Sequence, residues 1–182
     1  MGFTASATRE AVNKLTADGL IPASAASRGL QQILATGVGL PMAIKLMEGF
    51  KDSAAFNRQA HLSLTDAVLG QAEGYKTLRS TLMDQGGITK DVSVMIREQA
   101  KEIKRAYESL SEYEKYILLA NGLLKEFNLT QGNANILAST ASGQMDKLEA
   151  ATKKAHEAFG EFIYEHGGGK DLVALLIEIA TK

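Results

Sequence analysis

The chain contains no cysteine and only two prolines in its 182 residues. The missing cysteines exclude disulfides, zinc–thiolate sites, iron–sulfur clusters and cysteine nucleophiles. Both prolines, Pro22 and Pro41, lie before Lys45, so the long remainder lacks the residue that most reliably ends a helix. This distribution favours long helices over most of the sequence.

Excess charge of one sign is also missing, since 20 lysines and arginines face 21 aspartates and glutamates. A net charge of −1 gives no field that would hold a nucleic acid backbone. Basic patches with interleaved aromatics are absent as well, and we expect no nucleic-acid partner. The N-terminus lacks the basic and apolar segments of a secretory signal, which predicts synthesis in the cytoplasm and leaves the final location undetermined.

A seven-residue apolar repeat runs through the second half of the sequence. From Val92 to Phe127 the repeat positions follow one another in alternating steps of four and three, which predicts a continuous helical seam. A helix from about Thr89, acting as N-cap, to Phe127 would be about 58 Å long. The seam positions are Val92, Ile96, Gln99, Ile103, Ala106, Leu110, Tyr113, Ile117, Ala120, Leu124 and Phe127.

The same repeat occurs on both sides of this segment, and it predicts two further long helices. The first would run over about residues 52–83, and the second would continue past the turn at 128–133. Short turns make neighbouring helices antiparallel. The third seam consists of Ala138, Ala141, Met145, Leu148, Thr152, Ala155, Phe159 and Phe162.

The predicted fold is therefore all-α. We expect an elongated antiparallel bundle of three long helices, with a shorter N-terminal apolar helical hairpin and a short C-terminal helix. One domain would cover residues 1–182, with the short helices and hairpin in 1–51 and the bundle in 52–166. Residues 167–182 would hold a hinge of Gly167, Gly168 and Gly169 and an amphipathic helix from Asp171.

The hairpin segment Gly29–Phe50 carries only two charges, Lys45 and Glu48. Glycines 37 and 39 and Pro41 interrupt it, which indicates two short helices with a tight corner. A buried core element, an interface that a partner or a bilayer meets after a conformational change, and a permanent membrane span all remain open. The residues of this candidate interface are Leu30, Ile33, Leu34, Val38, Leu40, Met42, Ile44, Leu46, Met47 and Phe50.

Two glutamines, Gln71 and Gln99, interrupt the predicted seams at equal distance from residue 85. If the helices pair about that turn, the two amides face one another and fix the register. The alternative is that one or both lie at the wet edge of the seam.

Recognisable site chemistry is sparse. None of the three histidines follows a glutamate at the spacing of a di-iron site, and the glycines match no phosphate-binding loop. We therefore predict no catalytic, cofactor-binding or metal residues and no cofactor.

These features predict a non-enzymatic structural or assembly protein. It would associate with itself or with other subunits, as in a virion or a secretion-type particle. The alternative is a membrane-active protein whose Gly29–Phe50 hairpin inserts into a bilayer, as a pore-former or translocation component does. An enzyme with a site at an oligomer interface is a weaker third hypothesis.

Overall fold

The structure is a computed structural model that describes residues 5–165, leaving out the side chains at 141, 159 and 161–165. Within that range it contains nine α-helices, one 3₁₀ turn at Tyr107–Ser109 and no strand, which confirms the all-α class. The helices are α1 (Ala5–Thr16), α2 (Ala23–Leu34), α3 (Leu40–Asn57), α4 (Leu64–Thr77), α5 (Ser80–Gln85), α6 (Val92–Glu102), α7 (Glu112–Phe127), α8 (Asn133–Ala138) and α9 (Ala141–Glu165).

Helix α3 lies at the centre of the fold and packs against α1, α2, α4, α7 and α8. Its Phe50 is fully buried and meets the Phe127 ring of α7 edge-on, with ring centroids 5.6 Å apart. Gly49 makes this approach possible, because a Cβ there would lie 2.0 Å from the Phe127 ring. A single hydrophobic cluster continues around α3 from Ala11 to Ala134.

A buried lysine ties α1 to this centre. The Lys51 side chain is 7% exposed, and its Nζ donates to the Leu15 carbonyl at 2.7 Å and to the Asp18 carboxylate at 2.6 Å. The bond to Leu15 satisfies one of the carbonyls that the end of α1 leaves without an intrahelical partner. Lys51 thereby fixes the end of α1 on α3.

The predicted single helix over Thr89–Phe127 is wrong. Helix α6 ends at Glu102, and α7 begins only at Glu112. Between them Lys104 has a left-handed backbone with φ of 55°, which interrupts a right-handed helix. The 58 Å rod is therefore two shorter helices joined by an irregular segment that contains the 3₁₀ turn.

The start of α7 shows why the chain breaks here. The Ser111 hydroxyl accepts the Glu114 N–H, and the Glu114 carboxylate accepts the Ser111 N–H at 2.8 Å. This capping box satisfies two backbone donors that only a helix start leaves open. As a result the predicted seam is not continuous, since Ile103 and Tyr113 are each 53% exposed while Leu110 is buried.

The helix predicted over residues 52–83 is also divided. Helix α3 continues to Asn57, where Arg58 takes up extended backbone, and Ser63 then caps α4. Leu78 ends α4 in the left-handed region with φ of 54°. The third predicted helix is divided as well, because Ala138, the first position of its seam, lies in α8 and α9 begins only at Ala141. Helix α9 is 25 residues long and contains the remaining positions of that seam.

Helix α6 is capped by Asp91, two residues after the predicted Thr89. The Asp91 carboxylate accepts the Ser93 N–H at 2.8 Å and the Ser80 hydroxyl at 2.8 Å. Hydrogen bonds from the Ser93 and Ser80 hydroxyls lower the pKa of Asp91 to about 2. These hydrogen bonds therefore favour the ionised form of the Asp91 carboxylate at the cap.

The close approach at Gly49 generates the first prediction. Gly49→Ala should lower the free energy of unfolding by about 1–3 kcal/mol, because the Phe127 ring must move to admit a methyl group. Gly160→Ala is the matched control, since its Cβ would meet nothing within 4 Å on an exposed part of α9. It should leave stability unchanged or raise it by up to about 1 kcal/mol. Urea unfolding measures both, and equal effects would contradict this packing.

The Asp91 cap generates a prediction about acid stability. Its pKa is lower in the folded chain than the ordinary value of about 3.9. Its contribution is therefore present above about pH 4 and is lost as pH falls towards 2. Asp91→Asn keeps a good cap without a titrating group. Its unfolding free energy should fall less than that of the wild type between pH 4 and pH 2.

The difference should stay below about 1 kcal/mol, because solvent screens an exposed carboxylate. Urea titrations of both proteins at pH 4, 3 and 2 measure it. Equal losses of stability in the two proteins would show that titration of Asp91 does not contribute to the loss between pH 4 and pH 2.

Candidate functional site

The segment Gly29–Phe50 is covered by parts of two helices, α2 and α3, that pack in the core. Helix α2 ends at Leu34 and α3 begins at Leu40, with Gly37 at φ of 89° between them and Pro41 in the first turn of α3. Seven of the ten candidate interface residues are buried, namely Leu30, Ile33, Val38, Leu40, Leu46, Met47 and Phe50. The other three are partly buried against the same core, namely Leu34, Met42 and Ile44.

No helix in the described range, residues 5–165, has the length and apolar character needed to cross a bilayer. Because its apolar residues are buried or partly buried, the hairpin of α2 and α3 does not offer them as a surface.

The two glutamines do not form the predicted pair. Gln71 is buried and its Nε2 donates to the Ser53 hydroxyl at 3.0 Å and to the Gly86 carbonyl at 2.8 Å. Gln99 donates to Glu102 at 3.4 Å. Gln71 instead joins α4 to α3 and to the turn after α5, because the predicted rods that would have aligned the two amides are broken.

The predicted hinge of Gly167, Gly168 and Gly169, and the helix predicted from Asp171, lie outside the described residues.

Helix α9 packs on the domain with small and charged residues. Its inner face consists of the buried residues Gly143, Asp146 and Ala150, followed by Lys153, whose side chain is 41% exposed. The Asp146 carboxylate accepts two bonds from Arg58, at 3.0 and 3.2 Å, and the two side chains are only 9% and 17% exposed. Arg58 also donates from Nε to the Leu62 carbonyl at 3.2 Å. This ion pair holds α9 against the segment that joins α3 and α4.

Further polar contacts continue along α9. The Ser24 hydroxyl of α2 donates to the Glu157 carboxylate. Lys153 pairs with Glu149 at 2.8 Å, and this bond raises the pKa of the Lys153 ammonium, with the charge of Asp66 on α4 acting in the same direction. The polar contacts that attach α9 to other helices and segments therefore include the Arg58–Asp146 ion pair and the Ser24–Glu157 hydrogen bond, whereas the Lys153–Glu149 pair lies within α9.

The apolar positions of α9 face the other way. We call Met145, Leu148, Thr152 and Ala155 the outer stripe. Met145 is 66% exposed, Leu148 is 60% exposed, and Thr152 and Ala155 are exposed as well. Each of them stands two positions after a residue of the inner face. Two steps of about 100° place these sets on nearly opposite sides of the helix.

The sequence predicted the outer stripe as a seam, and the structure places it on the surface. The inner face was not predicted, because it carries two charged residues and two small ones. Its only signal in the sequence is the spacing of Gly143, Asp146, Ala150 and Lys153, which is also a step pattern of three and four. The two stripes have the same period and lie on opposite sides of the helix. The sequence therefore does not show which of them packs against the domain until the partner of Asp146 is known.

An open cleft on another side of the molecule does not offer comparable evidence for function. It measures about 940 Å³ and lies between α1, α3, α7 and the α7–α8 turn. At its rim Lys14 pairs with Glu48 at 2.8 Å. Asp52 accepts the N–H groups of Gly132 at 3.1 Å and Ala134 at 2.9 Å. These charged groups hold the surrounding elements together, so their arrangement is explained by the fold.

Other ionisable groups have structural explanations as well. Burial raises the pKa of Tyr75 well above its usual range, and the Tyr75 hydroxyl donates to the Tyr116 carbonyl at 2.9 Å. Among residues 5–165 no three histidines, aspartates or glutamates gather into a group that could hold a metal ion. The outer stripe of α9 is therefore the best candidate for a functional surface.

No protein-family model, curated protein or solved structure matches this chain.

Proposed function

We propose that this protein is a non-enzymatic structural component that assembles with copies of itself through the outer stripe of α9. The observation that carries the proposal is the reversed packing of this helix. An amphipathic surface helix ordinarily turns its apolar stripe towards the core. Helix α9 turns Asp146 and Ala150 inward and leaves Met145 and Leu148 exposed.

A helical partner fits this surface better than a bilayer does. The outer stripe follows alternating steps of three and four, which is the period at which two helices pack side by side. Its C-terminal half consists of Thr152 and Ala155, which bury little apolar area in lipid but let a neighbouring helix come close. At about 37 Å, α9 is long enough for several layers of such packing.

A second copy of the chain is the simplest such partner, because it carries the same stripe. Apolar side chains exposed at this period would gain from mutual burial, and every copy supplies the complementary surface. Insertion of the hairpin into a bilayer is not proposed, since its apolar residues would first have to leave the core around α3. Membership in a virion or a secretion-type particle stays a prediction of the sequence.

Self-association through the outer stripe generates a prediction with a matched control. Wild-type protein should form concentration-dependent oligomers, and Leu148→Lys should weaken them. Burying a leucine contributes about 2 kcal/mol, and a symmetric dimer contains the site twice, so the dissociation constant should rise by at least about 100-fold. Leu129→Lys should leave it unchanged, because Leu129 is 83% exposed in the α7–α8 turn and is not part of the outer stripe.

Sedimentation equilibrium from micromolar to near-millimolar protein measures the dissociation constants of the wild type and of both variants. Circular dichroism confirms that each protein is folded. A wild-type protein that stays monomeric over this range would overturn the proposal. Equal weakening by Leu148→Lys and Leu129→Lys would do so too.

A further inference from the structure

We infer that two copies of this chain can exchange α7, α8 and α9, so that the α6 of each copy packs against the partner's α7. In the exchanged pair the segment 103–111 becomes helical, and α6 and α7 form one continuous helix in each copy. This inference concerns a surface other than the outer stripe of α9, and it does not depend on the proposed function.

The junction between α6 and α7 is held in a costly backbone conformation. The Arg105 N–H donates to the Ala100 carbonyl at 2.9 Å. The Lys104 N–H donates to the Lys101 carbonyl at 3.0 Å, which completes the Schellman arrangement of a helix end. This arrangement holds Lys104 in the left-handed region, with φ of 55°, where glycine is the usual residue. A hinge under strain favours exchange between copies, because opening the hinge releases the strain.

The remaining polar contacts of the junction lie in solvent. The Arg105 guanidinium donates to the Glu114 carboxylate at 3.0 Å and to the Ser109 carbonyl at 2.9 Å, and both bonds are exposed. The capping box between Ser111 and Glu114 is exposed as well. Water replaces such contacts at little net cost when the junction opens. Residues 103–111 contain neither glycine nor proline, so the segment can continue the helix.

The packing of α6 on α7 sets the register of the exchanged pair. A Cβ at Gly122 would lie 3.3 Å from the Met95 Cβ and 3.6 Å from the Gln99 Cγ. The midpoint of this antiparallel contact is therefore at about residue 110. The two-fold axis of the exchanged pair passes through that midpoint, because each copy contributes α6 on one side of the axis and α7 on the other.

Continuing this register across the junction pairs the exposed seam residues. Ile103 then lies opposite the partner's Ile117, and Ala106 lies opposite the partner's Tyr113. In the single chain Ile103 and Tyr113 are each 53% exposed, so exchange would bury apolar area that is now in water. Leu110 would meet the partner's Leu110 at the axis. The seven-residue repeat that the single chain interrupts thereby becomes one continuous interface.

The exchange also keeps the contacts that join the two parts of the core. Several contacts link the part before the junction to the part after it, among them Tyr75 with Tyr116, Phe50 with Phe127 and Arg58 with Asp146. The exchanged pair forms the same contacts between copies, so the cost falls on the junction and on bringing two chains together. The partner that fits the opened chain is therefore a second copy of the same chain.

A proline at position 112 distinguishes the closed chain from the exchanged pair. Glu112 is the first residue of α7 and follows Ser111, whose ψ is 161°, so Glu112→Pro fits the closed chain. In a continuous helix the same proline would stand in the interior and break it. Ala23→Pro is the matched control, because Ala23 is the exposed first residue of α2 and also follows extended backbone.

Both proline substitutions would be made in the full-length Leu148→Lys chain, which weakens association through the outer stripe. Each protein would be refolded from urea at near-millimolar concentration, diluted and separated by size-exclusion chromatography, with circular dichroism to confirm folding. The Leu148→Lys chain should give a dimer that persists after dilution, because separation requires α7 to leave the core. Glu112→Pro should lower the dimer fraction at least about tenfold, and Ala23→Pro should leave it unchanged.

A second measurement, which needs no proline, shows which copy supplies α7. Lys125 pairs with Glu102 across α6 and α7 at 2.7 Å, and both side chains are exposed. Glu102→Cys and Lys125→Cys together, in the otherwise cysteine-free Leu148→Lys chain, place two thiols that a short bis-maleimide can join. Cross-linking should convert the isolated dimer into a covalent dimer, and it should leave the isolated monomer a single chain on a denaturing gel.

Three results would each overturn the exchange: no dimer after refolding, an equal dimer fraction with Glu112→Pro, or a cross-linked dimer fraction that still runs as single chains. None of them bears on self-association through the outer stripe, which Leu148→Lys has weakened in these proteins. Conversely, a wild type that stays monomeric in sedimentation equilibrium would overturn the outer-stripe proposal, and the refolding experiment would still decide the exchange.

Discussion

The ion pair between Arg58 and Asp146 determines which residues of α9 are exposed to solvent. Arg58 leaves the end of α3 in extended conformation, donates to Leu62, and holds Asp146 with two further bonds. Both side chains are largely withdrawn from solvent, so each would leave a poorly solvated charge behind if the other were lost. The same residue that follows α3 thereby determines which face of α9 lies against the domain.

The orientation of α9 has a physical consequence. A helix attached through Gly143, Asp146 and Ala150 buries little apolar area of its own, while its apolar residues stay in water. Such an arrangement leaves free energy to be gained by burial against another molecule. The core around α3 leaves no comparable apolar surface in water, because Phe50, Leu46 and Met47 are fully covered within the chain. The contrast between a completed core and an uncovered helix is why we place function on α9.

The sequence predicted the parts of this fold that depend on local chemistry. The all-α class is confirmed, and the chain turns between α2 and α3 at Gly37, with Pro41 in the first turn of α3. The break before α7 could also have been read from the sequence, because Ser111 and Glu114 have the spacing of a capping box. A seven-residue repeat predicts which residues would align if a helix were continuous, and it does not establish that continuity.

Other features could not be predicted in this way. Leu78 ends α4 in a left-handed conformation that leucine seldom adopts, so the sequence does not predict that the helix ends there. The inner face of α9 depends on Arg58, which is 88 positions away from Asp146 along the chain. Choosing between two opposite stripes with the same period requires that distant contact, and for this reason the candidate site appeared only with the structure.

The orientation of α9 in the isolated chain is the central claim, and a nitroxide scan of positions 143–157 tests it most directly. Single cysteines introduced into the cysteine-free chain would carry the label, and oxygen accessibility would be measured in protein diluted below any association. We predict maxima at 145, 148, 152 and 155 and minima at 143, 146, 150 and 153, following the helical period. A scan with the opposite phase, in which 148 and 152 are protected while 146 and 150 are accessible, would contradict the account.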